Sequence, residues 1–166
     1  MTHLDQISEK FIAPEDISRV VERMRLKSKR IVFTNGCFDL LHYGHIDYLS
    51  KAADLGDVLL IGLNSDASTS KLKGPGRPIN NETSRKHILG SLFFVTGIIL
   101  FDDPTPAALI ETIQPDVLVK GGDYKPEEIV GYDIVTKNGG SVVTIDFVPG
   151  YSTSALEQKI LQSSHG

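Results

Sequence analysis

The sequence has a single cysteine, Cys37, among 166 residues, which excludes an internal disulfide and any cysteine-based zinc site. It has no apolar run approaching the ~18 residues that a membrane-crossing helix needs. Its first stretch, MTHLDQISEKFIAPEDISRVV, has neither the basic start nor the apolar centre of a secretory signal, so cytoplasmic residence with no membrane partner is expected. Excess positive charge is lacking too. The formal net charge is −4, which argues against broad electrostatic capture of nucleic acid. A phosphorylated ligand must then be held by a local group of basic residues. The two familiar phosphate loops are also missing: there is no GxxxxGK[ST], and KGPGRP, with Gly74 and Gly76, has neither the third glycine nor the position of a dinucleotide fingerprint.

What is present is ordinary globular composition, 40% hydrophobic and 23% charged, at a length of about one domain. Apolar β-forming runs alternate with helical patterns. RIVFTN, DVLLIGLN, GIILF, DVLVKGG and SVVTIDF read as buried strands. Between and after them, helices are expected over GHIDYLSKAADLG, stopping near Gly56, and over NETSRKHILGSLFFV, capped by Asn80 or Asn81. Three more are expected over TPAALIETIQ, with Pro106 in its first turn, over PEEIVGYDIVTKNGG and over STSALEQKILQSS. The amphipathic helix PEDISRVVERMRLK precedes them all. Short, nearly all-apolar strands alternating with helices imply a parallel sheet covered on both faces. We therefore expect residues 1–27 to form an N-terminal helical extension. Residues 28–166 should form one α/β domain, a Rossmann-like doubly wound parallel sheet of about five strands. Such sheets bind ligands outside the carboxyl ends of their strands, which directs attention to the loops after Asn35, Asn64, Phe101, Lys120 and Phe147.

The first of these loops, TNGCFDLLHYGHIDYL, places Thr34, Asn35, Gly36, Cys37, Phe38 and Asp39 where a strand ends and a helix begins near Gly44 and His45. Free N–H groups and the positive end of a helix favour a phosphate there, and Gly44 permits close approach of the backbone. His42 and His45 can each donate an N–H to phosphate oxygens. A lone histidine at such a place is more often a cap or a satisfied core residue; two flanking a glycine favour the ligand reading. His-x-x-His lacks the spacing and the third ligand of a zinc hydrolase. The second loop carries Lys71, Lys73 and Arg77 in a glycine- and proline-broken segment, read as a mobile basic loop able to fold over a triphosphate. Arg85 could reach the same phosphates from the following helix. In the fourth loop, Lys120, Gly121, Gly122 and Asp123 read equally as room for a planar base, its edge met by Asp123 or backbone groups, and as a simple tight strand-to-helix turn. Ser152, Thr153 and Ser154 open the last helix; one hydroxyl caps it, Glu157 completes a capping box with Ser154, and together they offer a second anion-binding turn.

TNGCFDLLHYGHIDYL, LNSD, KLKGPGRPI, SRKHIL, LVKGGDYKPE and YSTS, in this order across about residues 28 to 162, closely resemble the nucleotidyltransferase superfamily marked by HxGH. Within it the chain resembles the cytidylyltransferase-type branch, and is most similar to the adenylyltransferase domain of ADP-heptose synthases. The resemblance implies that a sugar 1-phosphate attacks the α-phosphate of ATP, with Mg²⁺ on the phosphates, and that pyrophosphate leaves. It implies that His42 and His45 bind the triphosphate and stabilise the transition state. It gives Lys71 or Lys73 and Arg85 the departing pyrophosphate, Ser152 to Ser154 the β- and γ-phosphates, and Lys120 to Asp123 the base. The acceptor phosphate is already anionic, so the histidines are read as electrophilic stabilisers rather than bases, and the metal ligands are left unassigned. Relatives often carry a fused sugar kinase, so a kinase elsewhere is expected to supply the acceptor; they are also often homodimers. The glycerol-3-phosphate cytidylyltransferases are similar in HxGH, RKHIL and the hydroxyl turn but usually carry an arginine shortly before that turn, where DFVPGYSTS has none. A CTP-dependent enzyme for a phospho-alcohol and a non-catalytic nucleotide-binding module are the alternatives.

Overall fold

The computed structural model describes residues 1–122 and 124–163. The chain begins with helix α1 (His3–Ser8), the two-residue strand β1 (Phe11–Ile12) and helix α2 (Ile17–Leu26). Five strands follow, β2 (Ile31–Gly36), β3 (Val58–Asn64), β4 (Gly97–Phe101), β5 (Val117–Gly121) and β6 (Ser141–Ile145). Helix α3 (Tyr43–Ala53) joins β2 to β3, and α4 (Asp66–Lys73) and α5 (Glu82–Gly90) join β3 to β4. Helices α6 (Ala107–Ile113) and α7 (Tyr132–Lys137) form the last two crossovers, and α8 (Thr153–Ser163) follows β6.

All pairings are parallel, in the order β1-β4-β3-β2-β5-β6. Two buried clusters cover the two faces. One groups Ile31, Phe33 and Leu60 with Ile110 and Val135; the other groups Val32, Leu59 and Ile61 with Leu49 and Leu89. That alternation along each central strand is the signature of a sheet buried on both sides. The doubly wound parallel sheet is therefore as expected, with a sixth strand. The extra strand lies in the segment expected to be purely helical: β1 pairs with β4, while Ile17 and Val21 of α2 enter the core. Two apolar residues after a short helix are too brief a run to stand out in sequence.

The chain moves outward from β2 to β3 to β4, then returns to place β5 on the other side of β2, so the order reverses between β2 and β5. These two strands are paired only at Val32↔Val117 and Phe33↔Leu118, although β2 runs on to Gly36 and β5 to Gly121. By contrast β2 stays in register with β3 from Ile31↔Val58 to Gly36↔Leu63. The carboxyl ends of β2 and β5 thus separate, and the opening is the crevice in which such sheets bind ligands.

Three local readings are corrected. The helix expected over PEEIVGYDIVTKNGG is a single 3-10 turn at Pro126–Glu128 followed by α7. Gly131 between them has φ +96, and a Cβ there would meet Ile110 Cδ1 at 2.6 Å, so no helix passes through it. The helix from Asn81 ends at Gly90 instead of running on to Val95. The basic segment read as a mobile loop is largely helix: Ser65 caps α4 by accepting from the Ser68 N–H at 3.0 Å, and Lys71 and Lys73 form its last turn.

Candidate active site

At the end of β2 the backbone makes a tight turn in which Phe38 takes a left-handed conformation, φ +46, unusual for a bulky residue. That turn lays the Phe38 ring over Gly36 and edge-on to His45, with ring centroids 5.5 Å apart. His42 is the N-cap position of α3, but its side chain makes no cap hydrogen bond. Instead it stacks on His45, centroids 3.9 Å apart and planes 28° from parallel. The Nδ1 atoms of both rings are shielded from solvent and have no hydrogen-bond partner among the described residues. Buried polar atoms left unmet cost on the order of 1–3 kcal/mol each, so a pair of them at a helix N-terminus is a candidate seat for a polar ligand.

Burial lowers the pKa of His42. Burial, then His42 and Lys73, push His45 down to about 4, and a backbone hydrogen bond at Leu40 acts against them. Both rings are therefore neutral near pH 7, each carrying one N–H, for which in His45 the Leu40 backbone competes. A group whose folded pKa is depressed contributes stability in full above its unfolded value, near 6.5 for histidine, and loses it as pH falls towards the folded value. For His45 that window runs from about 6.5 down to about 4. A bound polyanion favours the imidazolium and raises the pKa again. NMR titration of the His45 Cε1–H should give a midpoint near 4 in the free protein and a higher one with a nucleoside triphosphate; equal midpoints would show that no anion reaches the ring.

Gly44 lies against the same ring. A Cβ there would stand 3.1 Å from His42 Cε1 and Nδ1 and 3.2 Å from Tyr151 Cβ. The second contact fixes where α8 begins. Tyr151 packs edge-on against Tyr43, centroids 5.1 Å apart, so the N-termini of α3 and α8 converge beside the histidines. Ser152 is the cap of α8, its Oγ accepting from the Ala155 N–H at 3.1 Å. Thr153 and Ser154 follow, Ser154 exposed. The capping box expected between Ser154 and Glu157 is not made: Glu157 pairs with Arg77. Of the two α4 lysines, Lys73 is the one whose charge acts on His45.

Three sequence-predicted residues have placements that differ from expectation. Asp39 is buried and its carboxylate is taken up within the protein. Its carboxylate accepts from the N–H groups of Ile79 and Asn80 and from Arg77, and its carbonyl accepts from Asn80 Nδ2 at 2.9 Å. Burial pushes this carboxyl up, but those N–H groups and the guanidinium outweigh it and hold its pKa below the usual range. Arg85, expected to face phosphates, is fully buried. Its guanidinium donates to the carbonyls of Asn80, Cys37 and Asn64 and to the Asp66 carboxylate at 2.7–2.9 Å, fastening the histidine turn to the ends of β3 and α4. Lys120 lines smaller cavities between β2 and β5, the larger of them shared with Asn35, Gly36 and Cys37. Asp123 lies outside the described residues.

Thr34 closes the floor of the crevice: its hydroxyl is 2.6 Å from the Tyr48 Oη, which donates to the Val119 carbonyl at 3.2 Å, so α3, β2 and β5 are tied together. Burial raises the Tyr48 pKa to about 12. On the β6 side, Phe147 covers the double glycine so closely that a Cβ at Gly121 would stand 2.6 Å from its ring. Gly122, Tyr124, Asp146 and Phe147 line a cavity of about 380 Å³ between two exposed aromatic rings. Tyr48, Tyr151 and Phe147 were not singled out in sequence; only Tyr48 carried a signal, falling one helical turn after His45.

The cytidylyltransferase-like family profile matches residues 33–157. Over 159 residues the chain is 50% identical to the Bifunctional protein HldE of Syntrophotalea carbinolica, taking in 96% of this chain and 32% of that protein. It is 54% identical over 137 residues to the Bifunctional protein HldE of Campylobacter jejuni subsp. doylei, covering 82% of this chain and 29% of the relative. The chain spans about a third of the length of the curated relatives it matches. The crystal structure of the lipopolysaccharide core biosynthesis protein of Thermoplasma volcanium is similar at a TM-score of 0.59 and 29% identity, covering 72% of this chain and 97% of that one.

Proposed function

This chain belongs to the cytidylyltransferase-like family, and on that premise we propose that it is an adenylyltransferase that transfers AMP from ATP to D-glycero-β-D-manno-heptose 1-phosphate, giving ADP-heptose and pyrophosphate. The observation that carries the reading is the pair of stacked histidines with unmet Nδ1 atoms, set where two helix N-termini meet. The resemblance to the adenylyltransferase domain of ADP-heptose synthases supplies the substrate pair.

In this reading the triphosphate lies across the N-termini of α3 and α8. An oxygen of the sugar phosphate forms a bond to the α-phosphorus as the bond to the β-phosphate bridge breaks, and the electron pair leaves with pyrophosphate. The acceptor oxygen carries no proton at neutral pH, so no general base is needed. His42 and His45 donate N–H groups to oxygens that gain charge, Lys73 and Lys71 offset the departing pyrophosphate, and the Ser152–Ser154 turn holds its far end. The base sits between Tyr124 and Phe147 beside Gly121 and Gly122. Asp39 and Arg85 act as positioning residues behind the turn. Magnesium suits this site as an ion carried on the phosphates, since no cluster of three or more acidic, histidine or cysteine ligands occurs among the described residues. It would supply charge neutralisation there.

No helix among the described residues is long and apolar enough to cross a membrane. Cytoplasmic residence, a homodimer and the division into residues 1–27 and 28–166 belong to the same proposal.

The test is pyrophosphate release with Mg²⁺ for ATP and CTP, each with heptose 1-phosphate and glycerol 3-phosphate. Release with ATP and the heptose phosphate alone supports the reading. Release with CTP alone moves the chain to a cytidylyltransferase, and release from no pair overturns both. In the same assay Gly44→Ala should lower kcat by roughly tenfold to a hundredfold by displacing His42, with an unchanged melting curve. An unaffected kcat would show that the ring position does not matter.

A further inference from the structure

Lys120 is the last large side chain of β5 before the double glycine, yet it is absent from the base cavity. It lines two other cavities, of about 260 and 170 Å³, which share Asn35, Pro106, Lys120 and Val130 and therefore adjoin at the mouth of the crevice between β2 and β5. Along β5 side chains alternate faces, so Lys120 and Gly121 belong to opposite faces of the strand, while Tyr124 borders both the base cavity and the smaller Lys120 cavity. The larger cavity adds Cys37, Asn64, Leu72 and Thr105 to that wall; the smaller adds Glu128 and Tyr124. Amide, hydroxyl and carboxylate groups set among proline and aliphatic walls suit a small polyhydroxylated molecule.

Glu128 borders the smaller cavity with Lys120, but among the described residues the two form no ion pair. Among the described residues no carboxylate lies within ion-pair distance of Lys120. Burial lowers its pKa, and Cys37 alone acts in the other direction. A half-buried lysine with no ion-pair partner, set among largely apolar cavity walls, is costly unless an anion joins it.

In-line displacement sets the rest. The attacking and leaving oxygens stand on opposite sides of the α-phosphorus. Pyrophosphate is given to the α8, Lys73 and histidine side, and the attacking phosphate enters from the crevice between β2 and β5, where Asn35 and Cys37 line the larger cavity together with Leu72 of α4.

Resting on the adenylyltransferase reading, we propose that Lys120 anchors the phosphate of the acceptor and that the two adjoining cavities hold its sugar. This replaces the assignment of Lys120 to the nucleotide base. Lys120 draws the acceptor phosphate into line without contacting the leaving group, so its loss weakens acceptor binding and leaves nucleotide binding alone.

The test uses the protein saturated with a non-hydrolysable ATP analogue and titrated calorimetrically with heptose 1-phosphate and, separately, with inorganic phosphate. Lys120→Gln should weaken binding of both anions by about tenfold or more, the scale of one charged hydrogen bond, and change the affinity of the analogue less than about twofold. Circular dichroism melting of the variant checks its fold. A parallel loss of analogue affinity, an unchanged anion affinity in a folded variant, or no anion binding by the unaltered protein would overturn the assignment. Lys120-dependent phosphate binding in a protein that releases no pyrophosphate would sink the proposed reaction and leave the anion site standing.

Discussion

Replacing His45 with alanine should cut turnover by roughly a hundredfold or more, the scale of losing one preorganised donor to a charged transition state. The side chain is held by packing, against the edge of Phe38 on one side and the face of His42 on the other. Among the described residues its Nδ1 makes no hydrogen bond, so removal strands at most the Leu40 backbone contact of the ring and folding should survive. The same fact argues for a ligand: a shielded, unmet imidazole nitrogen weakens the free protein and gains only when something binds. His45→Gln, which keeps an N–H donor without the ring, should recover part of the loss. Because the two rings stack, His42 and His45 act as a unit, and the double variant should lose less than the product of the two single losses. A folded His45→Ala protein with normal turnover would remove the histidines from the chemistry.

Arg85→Met should lower the unfolding free energy by about 3 kcal/mol or more, a large share of the ~5–15 kcal/mol that holds a domain together. The guanidinium is fully buried and donates four hydrogen bonds, three of them to backbone carbonyls. Removing it leaves those carbonyls unmet in the interior, with Asp66 losing its ion-pair partner. Lysine cannot restore the pattern, since one compact ammonium does not span the ends of β2, β3 and the segment before α5 as a planar fork does. Arg85→Lys should therefore stay close to Arg85→Met in urea unfolding. Any variant that folds should also lose turnover, because the Cys37 carbonyl belongs to the turn that carries both histidines. A stable variant with lost turnover alone would place Arg85 back among the phosphate contacts.

Five of the six strands were legible because their signal is local: short β-branched runs such as VLLIGL and VVTI, bounded by turn residues, favour strand over helix at that length. The histidine turn was legible for the same reason, since a strand, a glycine and two histidines all fall within one short stretch. What sequence concealed was partnership across the fold. Asp39, beside HxGH, read as a ligand contact, yet two backbone N–H groups and Arg77 from a segment about forty residues away occupy it. Glu157 sat at the spacing of a capping box and was taken instead by Arg77. Arg85 carried nothing in its neighbourhood to show that three carbonyls from distant turns would enclose it. The segment from Asp66 to Lys73 was misread because serine, threonine and lysine give no apolar stripe, although Ser65 and Asp66 are good helix-start residues. The parting of β2 and β5 depends on strand order, which no single stretch contains.

Displacement at the α-phosphorus of the nucleotide can be followed with heptose 1-phosphate labelled with ¹⁸O in its non-bridging phosphate oxygens, incubated with ATP, Mg²⁺ and the protein and read by ³¹P NMR. The expected result is label in the bridge between the two phosphorus atoms of ADP-heptose and none in pyrophosphate. Label in pyrophosphate or in inorganic phosphate, or a product bridge free of label, would contradict attack by the sugar phosphate on the α-phosphorus.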